Sequence, residues 1–455
     1  MTRRLVVVGG DAAGMSAASQ ARRRLGPDRL EIVAFERSSW VSYSACGEPY
    51  FVAGYVDPLS RLVARTPEDF AARDIAVHVR SEVTEIDLDR RRVTVHALDE
   101  GRTFRVGFDD LVVATGATAV RPDIAGADLE GVFELRTLDD AAALRRVAEA
   151  GPGDCVVVGG GYVGLEVAEA FAVRGWRTKV LTSGPSVLER TLDPDLGAKV
   201  VDAMRARGID VVLETQVRCI NGSERVESVG CDDATHPADV VVLGLGTRPE
   251  VDLAAKAGIP LGETGAIAVD RRQRTRIDGV WAAGDCAETF HRVTRRPVNP
   301  HLGTVANKTG RVAGINIGGG DAIFPGVLGT SITRVCDVEV ASTGVRESEA
   351  EEAGIAAVSA TATGTTTAGY WPEAAPLTIR ATAERDTGRL LGAQIVSEGP
   401  AGGKRIDVFA VAIWTSMPAQ ELAWTDLAYA PPFSGVWDLI HIAARKAATR
   451  AGSIQ

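Results

Sequence analysis

The sequence predicts an α/β protein in which two similar strand-turn-helix units precede a separate α+β domain, and three observations carry this. Leu5-Val6-Val7-Val8 runs through Gly9-Gly10-Asp11-Ala12-Ala13-Gly14 into the small-residue stretch Met15-Ser16-Ala17-Ala18. Cys155-Val156-Val157-Val158 runs through Gly159-Gly160-Gly161-Tyr162-Val163-Gly164 into Leu165-Glu166. From about residue 327 the texture changes to amphipathic strands, as in Leu377–Thr382 and Leu390–Val396, followed by an apolar helical pattern over Arg405–Trp414. Short β-branched runs that end in glycine read as buried parallel strands feeding a turn, and their repetition about 150 residues apart marks a duplicated unit.

With 455 residues the chain has room for about three domains. The segments are expected at residues 1–118, 119–246, 247–326 and 327–455. A composition of 45% hydrophobic and 24% charged residues is that of a globular protein, and 49 glycines point to many tight turns. The net charge of -10 gives no general attraction to nucleic acid or anionic lipid. The apolar run after Met1-Thr2-Arg3-Arg4 is too short for a secretory signal, and no stretch approaches the roughly 20 apolar residues that span a bilayer. Six cysteines, at 46, 155, 219, 231, 286 and 336, show neither metal-ligand spacing nor a disulfide framework. The expectation is a cytoplasmic protein without a metal.

Both glycine turns read as Rossmann-like dinucleotide loops, in which glycines let backbone amides approach a pyrophosphate at a helix N-terminus. The second satisfies GxGxxG; the first carries Asp11 at the middle glycine. The strand Glu31–Phe35 ends at Glu36, about 20 residues beyond the first loop, where a carboxylate binds ribose hydroxyls. The corresponding strand Thr178–Leu181 runs into Thr182-Ser183-Gly184 with no acid, which tolerates a 2′-phosphate, and Arg190 downstream is placed to help bind one. Further strands deliver glycine to a ligand-facing edge at Ala114-Thr115-Gly116, Gly244-Leu245-Gly246 and Gly284-Asp285. Two dinucleotide units on one chain imply electron transfer between two dinucleotides. Val41-Ser42-Tyr43-Ser44-Ala45-Cys46-Gly47-Glu48-Pro49-Tyr50 sets one cysteine close behind Glu36, making Cys46 the candidate redox thiol. The other cysteines are expected to be inert and buried. Glu48 is expected to point away from Cys46, because a nearby negative charge raises a thiol pKa.

These motifs together resemble the pyridine nucleotide-disulfide oxidoreductases, in the single-cysteine branch that contains coenzyme A-disulfide reductases, NADH oxidases and persulfide reductases. The likeness rests on Gly9 to Gly14 with Glu36, Ser42-xxx-Cys46-Gly47-x-Pro49-Tyr50, Ala114 to Gly116, Gly159 to Glu166, Ala283-Gly284-Asp285, Leu302 to Lys308 and Tyr429 to Ser434. It implies FAD on the first unit, whose domain would comprise residues 1–118 and 247–326, NADPH or NADH on the second at 119–246, and a dimerisation domain at 327–455. On the first side, cofactor contacts are expected from Gly9, Gly10, Asp11, Ala12, Ala13, Gly14, Glu36, Arg37, Ser42, Val83, Ala114, Thr115, Gly116, Gly284, Asp285, Gly303 and Thr304. On the second they are expected from Gly159, Gly161, Tyr162, Val163, Gly164, Glu166, Thr182, Ser183 and Gly246. Tyr162 is implied to be a flap over the flavin that swings aside for nicotinamide.

The resemblance makes Cys46 the nucleophile and Tyr429 and Tyr370 proton donors reaching it from the opposite subunit of a homodimer whose C-terminal domains dimerise. Arg22, Arg23 and Ser42 are implied as substrate contacts, the arginines to coenzyme A phosphates. The branch's oxidases and peroxidases place a histidine where Ala12 stands, which argues for a small-molecule disulfide as acceptor, with coenzyme A disulfide the candidate the resemblance offers. An NAD(P)H oxidase or a persulfide or polysulfide reductase is the alternative enzyme, and a redox-sensing flavoprotein without turnover is the alternative of another class.

Overall fold

The computed structural model describes residues 2–452. Its first sheet is parallel and five-stranded, in the order Val280–Ala282, Asp110–Val113, Arg3–Val8, Leu30–Phe35, Ile75–His78. The second repeats that plan in the order Val240–Leu243 beside Asp154–Val158, then Arg177–Leu181 and Asp210–Val212, with Val132–Phe133 closing the other edge. Each unit also inserts a three-stranded antiparallel meander at the same point, Ser81–Gly107 in the first and Val217–Pro237 in the second. The duplication read in the glycine loops therefore extends to the whole of each unit.

The second unit is inserted into the first, so the chain crosses between them twice. The outgoing strand Ala117–Ala119 pairs antiparallel with the returning strand Thr247–Pro249, which locks the two crossings together. After its return the chain supplies edge strand Val280–Ala282 to the first sheet and then helix Gly303–Ile317. That helix lies directly on helix Ala12–Arg24. A Cβ on Gly310 would fall 2.1 Å from the Ala13 carbonyl oxygen, and one on Gly314 would fall 2.2 Å from that of Ala17, so only glycine permits this backbone approach.

The C-terminal region forms a five-stranded antiparallel sheet, in the order Ser331–Val335, Val338–Gly344, Leu390–Ser397, Pro376–Glu384, Ala357–Thr365. Helices Ile406–Trp414 and Leu439–Arg450 pack on it, burying Ile379, Ile395, Phe409 and Ala444. The sequence suggested an amphipathic strand at 390–396, yet Leu390–Ser397 is buried along its entire length. The reason is tertiary: Val340 and Val396 on the sheet's other face join the core of the second unit, where they meet a cluster that includes Leu165, Phe171 and Phe51. That shared core fixes all three regions around one junction. No helix among the described residues is long and apolar enough to cross a membrane.

Candidate active site

The glycine loops show why their sequence is restricted. Gly9 has φ +108° and a Cβ there would lie 2.1 Å from the Ala114 carbonyl oxygen; Gly159 has φ +116° and would meet the Gly244 oxygen at 2.3 Å. The last glycines are equally confined, Gly14 against the oxygen of Gly9 and Gly164 against that of Gly159. Gly161 differs, because nothing stands within 4 Å of its would-be Cβ. An open cradle therefore lies at the start of helix Tyr162–Val173, whose cap residue makes no side-chain hydrogen bond. Helix Ala12–Arg24 likewise begins at Asp11 without a side-chain cap, and helix Gly303–Ile317 at Leu302 without one. These uncapped amides fit the phosphates of two dinucleotides.

Around the first loop, Glu36 accepts hydrogen bonds from the backbone amides of Gly10 and Ser38, both at 2.8 Å. Ser42 sits at φ +48°, a conformation serine seldom adopts, and its amide donates to the Gly10 carbonyl. The turn thus ties the cysteine segment to the glycine loop. Asp11 accepts from the Tyr43 amide, and burial pushes its carboxyl up to about 6 against the pull of that bond and of Arg136. Asp285 is paired with Arg136 at 3.2 Å, and Arg136 also donates to the Ala117 carbonyl oxygen. Gly116 and Gly246 both take positive φ at the crossing strands.

Cys46 lies on a short 3-10 turn, Ala45–Gly47, that leads into helix Glu48–Ala53. Cys155, Cys286 and Cys336 are buried, whereas Cys46 is exposed. Neighbouring protein nevertheless shields part of it, and this burial, then the charges of Glu166 and Glu48, raise its thiol pKa above the ordinary value. Glu48 therefore does not point away as expected. It is 3% exposed, its Oε1 has no hydrogen-bond partner, and burial pushes its carboxyl up to about 8, so it is largely neutral near pH 7. The helix turns Glu48 inward because Phe51 and Val52, three and four residues on, enter the shared core. Cys219 and Cys231 also depart from expectation: both are half-exposed on the second unit's meander.

Helix Tyr162–Val173 docks along the edge strand Ser331–Val335 with a matched spacing. The Tyr162 hydroxyl lies 2.7 Å from that of Ser331 and accepts from Thr191 at 3.0 Å; Glu166 accepts from the Thr333 hydroxyl; Glu169 accepts from the Cys336 amide at 2.8 Å. Positions 162, 166 and 169 share one helical face, which brings Glu166 toward Cys46 on the turn that opens the neighbouring helix Glu48–Ala53. Burial pushes the Glu166 carboxyl up to about 6, opposed by the Thr333 hydrogen bond.

Other candidates lie further out. Arg37, Val163, Ser183, Gly303 and Thr304 are exposed; Ala12, Thr115 and Thr182 are half-buried; Ala13 is buried in the helix packing and Val83 in the first sheet's core. Tyr370 and Tyr429 are exposed on the C-terminal domain, near enough that Tyr429 adds to desolvation in the upward shift of the Tyr370 phenol, and Phe433, Val436 and Trp437 of the same domain are exposed as well. Arg22 and Arg23 line a cavity of about 300 Å³ with Ser19 and Arg73, but Arg22 already donates to the carbonyls of Leu25 and Asp74. Sequence reading missed Arg136, Thr333 and His301, the last of which bonds Thr247 at 2.6 Å. Their partners are distant in the chain, and no local motif announces them.

A family model described as "Pyridine nucleotide-disulphide oxidoreductase" matches residues 3–310, and that family's dimerisation domain matches residues 330–439. A relative from Pyrococcus abyssi, "NAD(P)H sulfur oxidoreductase (CoA-dependent)", is 39% identical over 443 residues, 97% of each chain. "Coenzyme A disulfide reductase" of Staphylococcus aureus is 31% identical, covering 98% of this chain and 99% of its own. The solved structure of a NAD-dependent persulfide reductase from A. fulgidus superposes with a TM-score of 0.94 at 38% identity, covering 99% of this chain and 84% of the other. Two dinucleotide loops of the same build, an exposed cysteine between them and these likenesses agree: the chain belongs to the pyridine nucleotide-disulfide oxidoreductases, enzymes that use FAD and NAD(P)H.

Proposed function

We propose that the protein is a homodimeric NAD(P)H-dependent reductase of small-molecule disulfides, coenzyme A disulfide foremost, with Cys46 as its single redox thiol. The observation that carries this reading is the position of Cys46: among the cysteines it is the exposed one, and it lies beside Glu48 of the first unit and Glu166 of helix Tyr162–Val173, which bonds the C-terminal sheet.

FAD, when bound, supplies two-electron transfer from NAD(P)H to the sulfur. Gly9 to Gly14, Glu36, Arg37, Ser42, Val83, Ala114 to Gly116, Gly284, Asp285, Gly303 and Thr304 hold it. Gly159, Gly161, Tyr162 to Gly164, Glu166, Thr182, Ser183 and Gly246 serve the nicotinamide dinucleotide. The Cys46 thiolate attacks one sulfur of the substrate, forming a mixed disulfide as the substrate's S–S bond breaks and a thiolate leaves. Tyr429 of the partner subunit, with Tyr370 of the partner subunit beside it, donates the proton that the leaving thiolate takes. An electron pair from NAD(P)H then cleaves the mixed disulfide, releasing the second thiol and restoring Cys46. Arg22, Arg23 and Ser42 orient the substrate. The protein's place of action is the reducing cytoplasm, where a lone redox thiol is kept from forming a permanent disulfide.

A persulfide acceptor is the second reading, favoured by the 39% identity to a sulfur oxidoreductase against 31% to a coenzyme A disulfide reductase. Both use the same attack by Cys46. Replacing Cys46 with Ser is expected to lower disulfide-dependent NAD(P)H oxidation more than about a thousandfold while FAD stays bound. Undiminished turnover in that variant sinks the proposal. An acceptor panel of coenzyme A disulfide, polysulfide, peroxide and oxygen separates the two readings.

A further inference from the structure

The strand end of the second unit carries no acid in sequence, but the fold brings one there. The loop after strand Arg177–Leu181 doubles back on the glycine turn: the Thr182 side chain lies 3.3 Å from a Cβ built on Gly160, and the Leu188 amide donates to the Gly160 carbonyl at 2.8 Å. This closure folds Glu189 over Gly184. A Cβ on Gly184 would lie 2.0 Å from Oε1 of Glu189 and 2.4 Å from Oε2, so the carboxylate covers that α-carbon directly. Among the described residues that carboxylate makes no hydrogen bond or ion pair, although the Glu189 carbonyl is held by Arg346 at 2.7 Å.

We propose that Glu189 is the specificity-determining residue of the second dinucleotide site, accepting the adenosine ribose hydroxyls and selecting NADH over NADPH. The reasoning is that of Glu36 in the first unit, transferred to an acid that arrives from the loop instead of the strand end. An ionised carboxylate accepts from vicinal hydroxyls and repels a 2′-phosphate. The neighbouring cations do not offset it. Lys179 is paired with Asp210, and the Arg346 guanidinium is engaged by Glu349 and the Glu189 carbonyl. Arg190, expected to favour a 2′-phosphate, lies near enough to His301 for its charge to add to burial in lowering that imidazole's pKa. The inference rests on the reading of the second unit as the nicotinamide dinucleotide site.

The test is calorimetric titration of the FAD-loaded dimer with NAD⁺ and with NADP⁺, paired with kcat/KM for NADH and NADPH, in the natural protein, Glu189→Gln and Glu189→Arg. The natural protein is expected to prefer the unphosphorylated nucleotide by at least about tenfold, Glu189→Gln to narrow that ratio about tenfold, and Glu189→Arg to invert it. A natural preference for NADPH, or a ratio unmoved in Glu189→Gln, overturns the assignment. Binding of neither nucleotide to the natural protein overturns it together with the reading of the second unit, whereas binding without discrimination overturns the assignment alone.

Discussion

The two dinucleotide units share strand order, meander and glycine turn, yet they surround their loops with different electrostatics. The first places Asp11 at the middle position of its turn and packs Glu36 and Glu48 nearby, with Arg136 as the cation that offsets Asp11 and Glu48. The second leaves Gly161 open, keeps Glu166 and Glu169 bonded to the C-terminal sheet and brings Glu189, unpaired among the described residues, over Gly184. Duplication conserved the backbone that cradles a pyrophosphate, while the side chains around it diverged. The first unit is built to hold a cofactor and a thiol close together; the second leaves its cradle free for a ligand that comes and goes.

The sharpest way to break this contrast is to copy the first unit's acid into the second. Nothing within 4 Å obstructs a side chain at Gly161, so Gly161→Asp is expected to fold normally. It should weaken NAD(P)H binding about a hundredfold, measured by titration against unchanged thermal unfolding. Near-natural affinity would show that the cradle is not the phosphate site. The next largest effect concerns Glu48. Its carboxyl is raised in the folded chain, so its burial is compatible with folding at low pH and opposes it as pH rises from the unfolded value through about 8. Glu48→Gln should therefore stabilise the flavin-free chain by about 1–3 kcal/mol near pH 9 and by little near pH 5, read from denaturant unfolding at both values.

Reversing the exchange in the first unit is expected to have a smaller consequence. Asp11 ionises as pH passes about 6, and the charge it then carries opposes a pyrophosphate at the helix start. Flavin affinity should fall across that range in the natural protein and stay level in Asp11→Gly, a difference of about tenfold at pH 8 by flavin fluorescence. The smallest expected effect lies at the junction. Glu166→Gln removes the charge that faces Cys46 across the junction, with Glu48, Tyr50 and Arg334 also facing that space. The midpoint of Cys46 alkylation should move to lower pH by roughly half a unit, whereas Thr333→Val, which leaves Glu166 ionised where the thiol titrates, should leave it in place.

Much of this architecture was legible because its signals are local. A β-branched run, a glycine turn and a small-residue helix lie within about twenty residues, and the confinement of Gly9, Gly14, Gly159 and Gly164 by neighbouring carbonyl oxygens explains why that pattern is written so plainly. Cys46 stood out for the same reason, through its closeness to Glu36. Glu48 was misread because its orientation depends on Phe51 and Val52 entering a core shared with the second unit. The burial of Leu390–Ser397 on both faces was hidden likewise, since one face meets helices of its own domain and the other meets a different unit.

By itself the sequence determined the duplicated α/β plan, the family and the identity of the exposed thiol, because each is encoded by residues adjacent or periodically spaced along the chain. Only the tertiary structure decided what surrounds that thiol and the second glycine turn: Arg136 reaching Asp285 and Thr333 holding Glu166 at the one, and Glu189 folding over Gly184 at the other. Chain insertion and loop closure set those contacts, and the charges they bring together act through space on groups that sequence proximity does not link.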